Sequence, residues 1–488
     1  MSEESIMFSK REKRVVLFIY PPISKHERYS SDIGEVGGAQ IPLGIYYIAS
    51  YVRNHGFQVH CIDAEAQRLE NSEIVSKIKE KTPDIIGLSS TTVAFQRTVA
   101  LAHEIKVAFP HLPVVIGGPH ATSNIQNVMN NPVFDYLIYG EGEETFVDLL
   151  HALERENDGK DILSSIHGLA YRKNGLVKIN PPRDYIQELD TIPFPAYDLI
   201  PDFTVYHPDP SNYRFIPVVN IITSRGCPNH CTFCDRGVFG QKLRQRSPEN
   251  VAEEIAFLVK RYGVREIAFV DDTFTIGKQR IQNIFTLLQQ KGIQISWTCM
   301  SRINTVDYET LAFMKKMGCW KIKFGIESGD ESILKKIRKN IDLKIAREVI
   351  SYCKKLRIST SGFFIIGHPG ETKESIEKTI RYALDVPLDD IVVTINTPMP
   401  GSVQYNEVEQ YGTLDSTNMS NFNYWSPVFV PHGLDANYLL MSQKRMYQKF
   451  YFRPRTFLRL INDFRSPTGM KRITSYFKAV KFLFAKQQ

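Results

Sequence analysis

The sequence predicts an α/β protein built from two successive arrays of parallel β-strands. Short β-branched runs alternate with segments of helical periodicity from residue 14 to about 155, and the same alternation resumes at residue 217. The connections are short, which favours parallel strands joined by helices. A chain of 488 residues also exceeds the size at which a single hydrophobic core stops growing, so we expect several domains.

The first array is typical of a doubly wound parallel sheet. Its predicted strands are Val15–Tyr20, Gln58–Asp63, Ile85–Ser89, Val114–Ile116 and Tyr136–Tyr139. Its predicted helices lie near 43–54, 71–81, 94–108 and 143–154. Ligands of such sheets bind beyond the carboxyl ends of the strands, where this chain carries glycines and hydroxyl side chains. A series of ordinary tight turns would show the same residues.

Residues 156–216 are predicted to connect the two arrays. They contain a predicted hairpin with Asn174-Gly175 at its turn, followed by a stiff proline-rich stretch. Six further strand–helix units then predict a complete or partial barrel. The predicted strands of this barrel are 217–223, 265–271, 294–299, 320–326, 359–366 and 390–396. The repeat is lost beyond about residue 402.

Composition narrows the class of protein. Seven cysteines, three of them within eight positions, do not form a disulfide framework and indicate a reducing compartment with a metal site. We find no secretory signal and no apolar run long enough to span a bilayer, so we expect a cytoplasmic protein. The net charge of +7 arises at the C-terminus, where residues 431–488 carry twelve Lys and Arg against two Asp.

A cysteine-rich loop follows the first barrel strand. It contains Cys227, Cys231 and Cys234, three thiolates that can hold one face of a metal centre. Iron–sulfur clusters are held by cysteine thiolates, whereas structural zinc sites need four ligands. Three ligands leave one position open for another molecule. A zinc site of three cysteines completed by His230 is the alternative.

The Cys-x-x-x-Cys-x-x-Cys loop resembles the signature of the radical S-adenosylmethionine superfamily. Further motifs of that family follow in order, each at the carboxyl end of a predicted strand, where barrel active sites are built. They are Asp271-Asp272, Trp297–Arg302, Gly325–Gly329, Gly362–Glu371 and Thr397–Gly401. The resemblance in this region covers residues 217–402.

The resemblance implies which residues bind the cofactors. Cys227, Cys231 and Cys234 would bind a 4Fe-4S cluster whose open iron is chelated by S-adenosylmethionine. The residues implied to contact S-adenosylmethionine are Phe233, Asp271, Arg302, Glu327, Ser328 and Gly367. Phe233 would lie near the adenine, and Arg302 near the methionine carboxylate. No catalytic residue beyond these cofactor ligands is expected, and Asp271 with Asp272 could instead cap the helix near 277.

The first array resembles the cobalamin-binding domain of the cobalamin-dependent radical S-adenosylmethionine class. The positions that carry this resemblance, and that would contact cobalamin, are Ser89, Gly117, Gly118 and Gly142. The Asp-x-His-x-x-Gly motif of the general cobalamin fold is absent, because the loop after the first strand is Pro21-Pro22-Ile-Ser-Lys-His26. A histidine ligand to cobalt is therefore not expected.

Four regions are thus predicted. They are a cobalamin-binding-like α/β domain at 1–155, a linker at 156–216, a partial (β/α)6 radical S-adenosylmethionine barrel at 217–402 and a helical region at 403–488. The last region is basic and rich in aromatic residues. It is best explained as a helical cap over the barrel; a membrane-surface helix is the alternative, and nucleic-acid binding lacks a recognisable module.

The function implied by the resemblance is enzymatic. S-adenosylmethionine would be cleaved reductively to a 5′-deoxyadenosyl radical, and an unactivated carbon of an unknown substrate would be methylated with cobalamin. The alternatives are ring closure or oxidation of the anaerobic porphyrin ester cyclase type, and a non-catalytic cobalamin or cluster carrier. Methylthio transfer is less favoured, because enzymes of that type usually carry three further cysteines in an N-terminal domain, whereas only Cys61 lies in the first domain here. Expected partners are a small-molecule or lipid-like substrate and an electron donor such as flavodoxin or ferredoxin.

Overall fold

The computed structural model describes residues 14–33, 37–155, 162–206, 208–454 and the separate residues 469, 470 and 474. The chain divides into two compact units. The first comprises residues 1–24, 42–201 and 236–240, and the second comprises residues 25–41, 202–235 and 241–488. Each unit contains a parallel sheet with helices, which confirms the predicted α/β class.

The elements are numbered in chain order. The strands are β1 (Val15–Tyr20), β2 (Gln58–Asp63), β3 (Ile85–Ser89), β4 (Val114–Gly117), β5 (Tyr136–Ile138), β6 (Leu169–Lys173), β7 (Leu176–Ile179), β8 (Val218–Ile221), β9 (Ser224–Arg225), β10 (Arg244–Gln245), β11 (Glu266–Phe269), β12 (Ser296–Ser301), β13 (Cys319–Glu327), β14 (Ser359–Ile366), β15 (Asp390–Ile395), β16 (Gly412–Leu414) and β17 (Phe429–Pro431). The α-helices are α1 (Lys25–Ile33), α2 (Leu43–Asn54), α3 (Ala64–Gln67), α4 (Asn71–Lys81), α5 (Phe95–Ala108), α6 (Pro119–Ser123), α7 (Ile125–Met129), α8 (Glu143–Glu154), α9 (Pro248–Tyr262), α10 (Lys278–Gln290), α11 (Tyr308–Lys316), α12 (Glu331–Lys336), α13 (Leu343–Lys355), α14 (Lys373–Asp385), α15 (Val403–Glu407) and α16 (Ala436–Tyr451).

The sheet of the first unit has the strand order β2-β1-β3-β4-β5-β6-β7. Strands β1 to β5 are parallel, and β1 is buried along its whole length between β2 and β3. Strands that are buried on both faces are continuous apolar runs rather than alternating ones, as Val15–Tyr20 shows. The five predicted strands are confirmed to within one residue at each end.

The hairpin β6–β7 extends this sheet. Strand β6 pairs antiparallel with β5, matching Tyr136 with Tyr171. The chain after the hairpin is then fixed to α8 by Arg183, which donates hydrogen bonds to the Thr145 hydroxyl at 2.9 Å and the Glu144 carboxylate at 3.1 Å and also pairs with Asp148. The hairpin, predicted as part of the linker, is thus the edge of the first sheet.

The second unit is a partial barrel. Its six strands are parallel and adjacent in chain order, β15-β14-β13-β12-β11-β8. An aromatic cluster packs the helices against the sheet, with the rings of Phe285 on α10 and Trp297 on β12 stacked at a centroid distance of 4.6 Å. The six predicted strands and the five helices between them are all present.

The edge strand β15 is covered by α16. The Tyr447 hydroxyl accepts a hydrogen bond from the backbone N–H of Val393 at 2.8 Å, and the Gln443 amide donates to the Val393 carbonyl at 2.8 Å. Exposed edge strands invite unwanted pairing, and this helix removes that hazard. The described part of the C-terminal region thus lies over the barrel, as the cap interpretation expects.

The remaining basic and aromatic residues, 455–468, 471–473 and 475–488, lie outside the described residues. The membrane-surface interpretation therefore stays a prediction. Within the described ranges, none of the helices combines the length and the apolar character that crossing a bilayer would require.

Candidate cofactor sites

The cysteine loop is fixed to the barrel at its start by Asp271. This carboxylate follows β11 and is almost completely buried. One of its oxygens, Oδ1, accepts hydrogen bonds from the backbone N–H of Thr223 at 3.0 Å, the Thr223 hydroxyl at 2.8 Å and the Ser224 hydroxyl at 2.5 Å. Because Thr223 and Ser224 lead directly into the cysteine loop, the carboxylate sets where that loop leaves the sheet.

The helix-cap alternative for Asp271 and Asp272 is wrong. Helix α10 begins at Lys278, and its N-cap position is Gly277. Asp272 is exposed, whereas Asp271 is almost completely buried, and this burial raises the pKa of the Asp271 carboxyl group. The second oxygen of Asp271, Oδ2, is buried without a hydrogen-bond partner among the described residues. Its contact with S-adenosylmethionine stays a prediction, beside the anchoring role that the structure adds.

The far end of the cysteine loop is fixed through Thr232. Its backbone N–H donates to the Ile337 carbonyl at 3.1 Å, and its own carbonyl accepts from the backbone N–H of Gln404 at 3.0 Å. The Gln404 amide also reaches the Thr232 hydroxyl at 3.2 Å. Residues from three parts of the second unit thus hold the loop, and Gln404 was not anticipated from the sequence because it lies outside every motif.

The three cysteines differ in exposure. Cys227 is half-buried, Cys231 is buried and Cys234 is exposed. Two donors point at their sulfurs, the Asn229 amide at 3.3 Å from Cys227 Sγ and Arg302 Nη1 at 3.5 Å from Cys231 Sγ. Such donors suit thiolates, since hydrogen bonds to sulfur tune an iron–sulfur cluster.

Within the described part of the chain, no three His, Cys, Asp or Glu side chains gather as a single metal ion would require. The thiolates of a four-iron cluster bind different irons, so they need not converge on one point. The donor set therefore fits a cluster. His230, which would complete the alternative zinc site, is exposed.

Arg302 places a buried positive charge beside the cysteine loop. Its side chain is only 6% exposed, and Nη1 is the nitrogen that faces Cys231. Its Nε and Nη2 are buried with no hydrogen-bond partner among the described residues. Buried polar groups are nearly always paired, and leaving them unpaired is costly. These two donors fit an anionic partner such as the carboxylate of S-adenosylmethionine.

Glu327 and Ser328 lie where β13 leaves the regular ladder. Glu327 has a positive φ of 69° at an irregularity in the β13–β14 pairing. One oxygen of its carboxylate accepts from Lys339 Nζ at 2.8 Å in a buried ion pair. The Ser328 hydroxyl accepts from the backbone N–H of Asp330 at 3.1 Å and lies 3.1 Å from the Thr379 hydroxyl. Ser328 is thus already engaged within the protein, and both predicted cofactor contacts remain predictions.

The segment after β14 carries two buried titratable side chains, His368 and Glu371, and His368 lies against Phe233 of the cysteine loop. Glu371 Oε2 accepts from the backbone N–H groups of Gly367 and, at 3.1 Å, His368. The His368 ring is fully buried, faces Phe233 at a centroid distance of 5.7 Å, and has no hydrogen-bond partner for either ring nitrogen among the described residues. Burial lowers the pKa of His368 to about 3 and raises that of Glu371 to about 8.

His368 and Glu371 were overlooked as individual site residues. Within the motif Gly362–Glu371, Gly367 is the residue that the resemblance predicts to contact S-adenosylmethionine. The signal that could have found them is a histidine and a carboxylate placed at a barrel rim. Lys339, the partner of Glu327, lies outside every motif and gave no signal.

In the first unit, three of the four predicted cobalamin positions meet at the ends of β3 and β4. Ser89 and Gly117 are register partners. Gly118 has a positive φ of 95°, and a Cβ added there would lie 2.9 Å from the Ser90 carbonyl oxygen and 3.0 Å from Ser89 Oγ. Only glycine is accommodated at this point. The fourth, Gly142, immediately precedes α8.

Unpaired polar atoms accompany these positions. His120, joined by its backbone N–H to the Ser90 carbonyl, is buried, and its Nε2 has no partner within the described ranges; the same is true of the Thr91 hydroxyl. Burial lowers the pKa of His120 to about 4, so the ring is neutral. Strand order 2-1-3-4-5 places ligands at the carboxyl ends of the strands. The open donors and acceptors there fit a polar ligand such as the nucleotide tail of cobalamin.

Comparison with known proteins identifies the family and the cofactors of the chain. A model of the radical SAM superfamily matches residues 221–383, and a model of the B12 binding domain matches residues 29–150. These matches define an enzyme with a radical S-adenosylmethionine barrel and a B12-binding domain. The chain belongs to the cobalamin-binding-domain-containing radical S-adenosylmethionine family, whose cofactors are a 4Fe-4S cluster, S-adenosylmethionine and cobalamin.

Individual relatives cover most of the chain. It is 36% identical to an uncharacterized methyltransferase of Pyrococcus horikoshii, over 91% of this chain and 94% of that protein. It is 27% identical to the anaerobic magnesium-protoporphyrin IX monomethyl ester cyclase of Cereibacter sphaeroides, over 88% of this chain and 70% of that protein. The cobalamin-dependent S-adenosylmethionine radical enzyme OxsB has the same fold, with a TM-score of 0.73 at 17% identity over 97% of this chain and 75% of that one.

The anchoring role of Asp271 predicts the effect of Asp271→Ala. The substitution leaves the Thr223 and Ser224 donors without their acceptor, at a cost of about 1–3 kcal/mol for unpaired buried groups. We expect lower stability and about half the iron per chain after anaerobic reconstitution, measured by colorimetric iron analysis. Asp272→Ala is the matched control, since that side chain is exposed. Wild-type iron content in Asp271→Ala would refute the anchoring role.

The raised pKa of Glu371 predicts a pH dependence of stability. Between pH 4.5 and about 8 the unfolded chain has released this proton and the folded chain retains it, so stability falls as the pH rises. Glu371→Gln keeps an acceptor for the two N–H groups and does not titrate. Relative to wild type, its free energy of unfolding should rise by on the order of 1.4 kcal/mol per pH unit in this window. Urea unfolding at pH 5 and pH 8 measures this difference; parallel shifts of the two proteins would contradict it.

Proposed function

We propose that this enzyme methylates an unactivated carbon of a small-molecule substrate. One observation carries the proposal: a single chain combines a cysteine loop beside the open donors of Arg302 with a glycine-lined strand end suited to cobalamin. The relative from Pyrococcus horikoshii, which matches over nearly its whole length, is named a methyltransferase.

The protein's own contribution is to hold the cofactors and to orient them. When bound, the cluster with S-adenosylmethionine supplies radical chemistry that removes hydrogen from unactivated carbon, and cobalamin supplies methyl transfer. Cys227, Cys231 and Cys234 would hold the cluster, and Arg302 would orient the methionine carboxylate. The Glu327–Lys339 pair adds fixed charge at the same rim. Arg302, Glu327 and Lys339 are buried, and the exclusion of water from them strengthens their electrostatic contacts.

Ring closure or oxidation is the second candidate function. It is supported by the similarity to the magnesium-protoporphyrin ester cyclase of Cereibacter sphaeroides over 88% of this chain. The two candidates differ in one product. Methyl transfer that uses a second S-adenosylmethionine to restore the methyl donor releases S-adenosylhomocysteine, whereas ring closure does not.

We infer further that an electron donor such as flavodoxin or ferredoxin serves the enzyme, because reductive cleavage needs one electron for each S-adenosylmethionine. A cytoplasmic location is supported by the free cysteines of the chain. A lipid-like substrate and peripheral membrane contact depend on the C-terminal residues outside the described ranges and remain proposals.

The first experiment is product analysis after anaerobic reconstitution with S-adenosylmethionine, reductant and cobalamin. We expect 5′-deoxyadenosine and S-adenosylhomocysteine in the wild type and loss of both in Cys227→Ala, because one cluster ligand is gone. Cys353→Ala, a cysteine of the core on α13, is the matched control. Liquid chromatography with mass spectrometry measures both products.

The two products separate the candidate functions. 5′-deoxyadenosine without S-adenosylhomocysteine would favour ring closure or oxidation over methylation. Equal yields from wild type and Cys227→Ala would refute the assignment of the cysteine loop.

A second prediction concerns Arg302. If its open donors bind the carboxylate of S-adenosylmethionine, Arg302→Met removes charge-assisted hydrogen bonds of about 1.5–3 kcal/mol, and the Kd for S-adenosylmethionine should rise about 10- to 100-fold. Equilibrium dialysis of the reconstituted protein measures this constant. The exposed Arg347→Met should bind as the wild type does. An unchanged Kd in Arg302→Met would overturn the assignment.

A further inference from the structure

The inner face of the barrel carries a row of partly exposed residues. On β13, β14 and β15, partly exposed residues alternate with fully buried ones. Since successive side chains of a strand point to opposite faces, the partly exposed set shares one face of the sheet. Together with their register partner on β12, these residues are Met300, Lys323, Gly325, Phe363, Ile365, Val392 and Thr394.

The deep end of this face is closed by satisfied polar groups. Lys321 Nζ pairs with the Asp390 carboxylate at 3.0 Å and donates to the Ser211 carbonyl at 3.0 Å. The Ser361 hydroxyl donates to the same carboxylate at 3.1 Å, and Tyr451 does so as well. Lys321 is thus a structural lysine, fully buried with its charge compensated.

Lys323 lies one step further along the same face and is different. It is half-buried between its register partners Met300 and Ser361, and no hydrogen bond or ion pair joins it to any described residue. Asp390 on β15, the register partner of Ser361, already has four donors. Asp209, Asp390, Cys299 and Lys321 are the charged or titratable groups that act on it.

The other charges of this face have partners. The Glu266 carboxylate accepts from the backbone N–H groups of Arg214 and Phe215, and Glu327 is paired with Lys339. Within the described chain, Lys323 is therefore a charged side chain of the inner face without a direct hydrogen-bond or ion-pair partner, and the carboxyl groups of Asp209 and Asp390 act on it only from beyond ion-pair distance. Burial lowers its pKa to about 8, which shows the cost of holding the ammonium there.

We propose that Lys323 binds an anionic group of the substrate, a carboxylate or a phosphate-type group, inside the barrel. The proposal rests on the proposed function in taking this face as the substrate site. Lys323 precedes Glu327 by four residues, about 13 Å along a strand. An anion held at Lys323 therefore leaves room for the body of the substrate to extend towards the rim that carries the cysteine loop.

The test measures how fast Lys323 reacts with limiting acetic anhydride in the reconstituted holoenzyme at pH 8. Sodium phosphate, sodium hexanoate and sodium chloride are compared at equal ionic strength, and peptide mass spectrometry quantifies acetylation. A bound anion raises the pKa of the amine and shields it, so we expect phosphate or hexanoate to slow acetylation of Lys323 by about three-fold or more. The exposed Lys344 is the internal control and should react equally in all three salts.

Each outcome either supports or overturns the proposed anion site at Lys323. Protection by phosphate alone identifies a phosphate-type group, and protection by hexanoate alone identifies a carboxylate. Equal rates in all three salts overturn the proposal, as does an unreactive Lys323 in chloride, which would mean that the amine is inaccessible.

A variant separates this proposal from the proposed function. Lys323→Gln removes the charge and keeps most of the length, so substrate-independent formation of 5′-deoxyadenosine should match the wild type. If the wild type forms no 5′-deoxyadenosine but Lys323 is still protected, the anion site stands and the proposed function fails. If Lys323→Gln abolishes 5′-deoxyadenosine, the residue supports the cofactors, and the substrate proposal fails.

Discussion

The hydrogen bonds from the start of the cysteine loop to the Asp271 carboxylate are the constraint on which the cofactor site depends. The eight residues from Cys227 to Cys234 have too little regular structure to hold three sulfurs by themselves. One buried oxygen receives three donors from Thr223 and Ser224, and Thr232 is fixed from the other side. The loop is therefore held between two rigid points, which is how a flexible segment acquires a defined geometry.

Both cofactor regions share a second physical property. Arg302, His368 and Glu371 in one unit, and His120 with Thr91 in the other, carry buried polar atoms without partners among the described residues. Each such atom lowers the stability of the protein alone, so their concentration at strand ends is informative. A ligand that supplies the missing partners binds the folded state and not the unfolded chain, so it raises the free energy of unfolding by an amount set by its concentration and its Kd. Stability and cofactor loading are thus coupled in this chain.

Much of this architecture was predictable because its signals are local. The alternation of apolar runs with helical segments predicts β1 to β5 and the six barrel strands. The spacing of Cys227, Cys231 and Cys234 predicts a metal centre. The position of β6 was not predictable as part of the first sheet, since pairing with β5 depends on tertiary contacts. Likewise, no sequence pattern distinguishes Lys321, which forms an ion pair, from Lys323, which does not. The partner of Lys321 is Asp390, which is distant along the chain.

The second unit includes residues 25–41, and this has a consequence for how the chain is made. Ile41 exchanges two hydrogen bonds with the side-chain amide of Asn220 on β8, at 3.0 Å each, across a separation of 179 residues. At about 5–20 residues per second, a ribosome needs roughly 10–35 seconds to reach Asn220 after Ile41 has emerged. The two hydrogen bonds of Ile41 can therefore form only after the whole first sheet has been synthesised, when the nascent chain delivers Asn220.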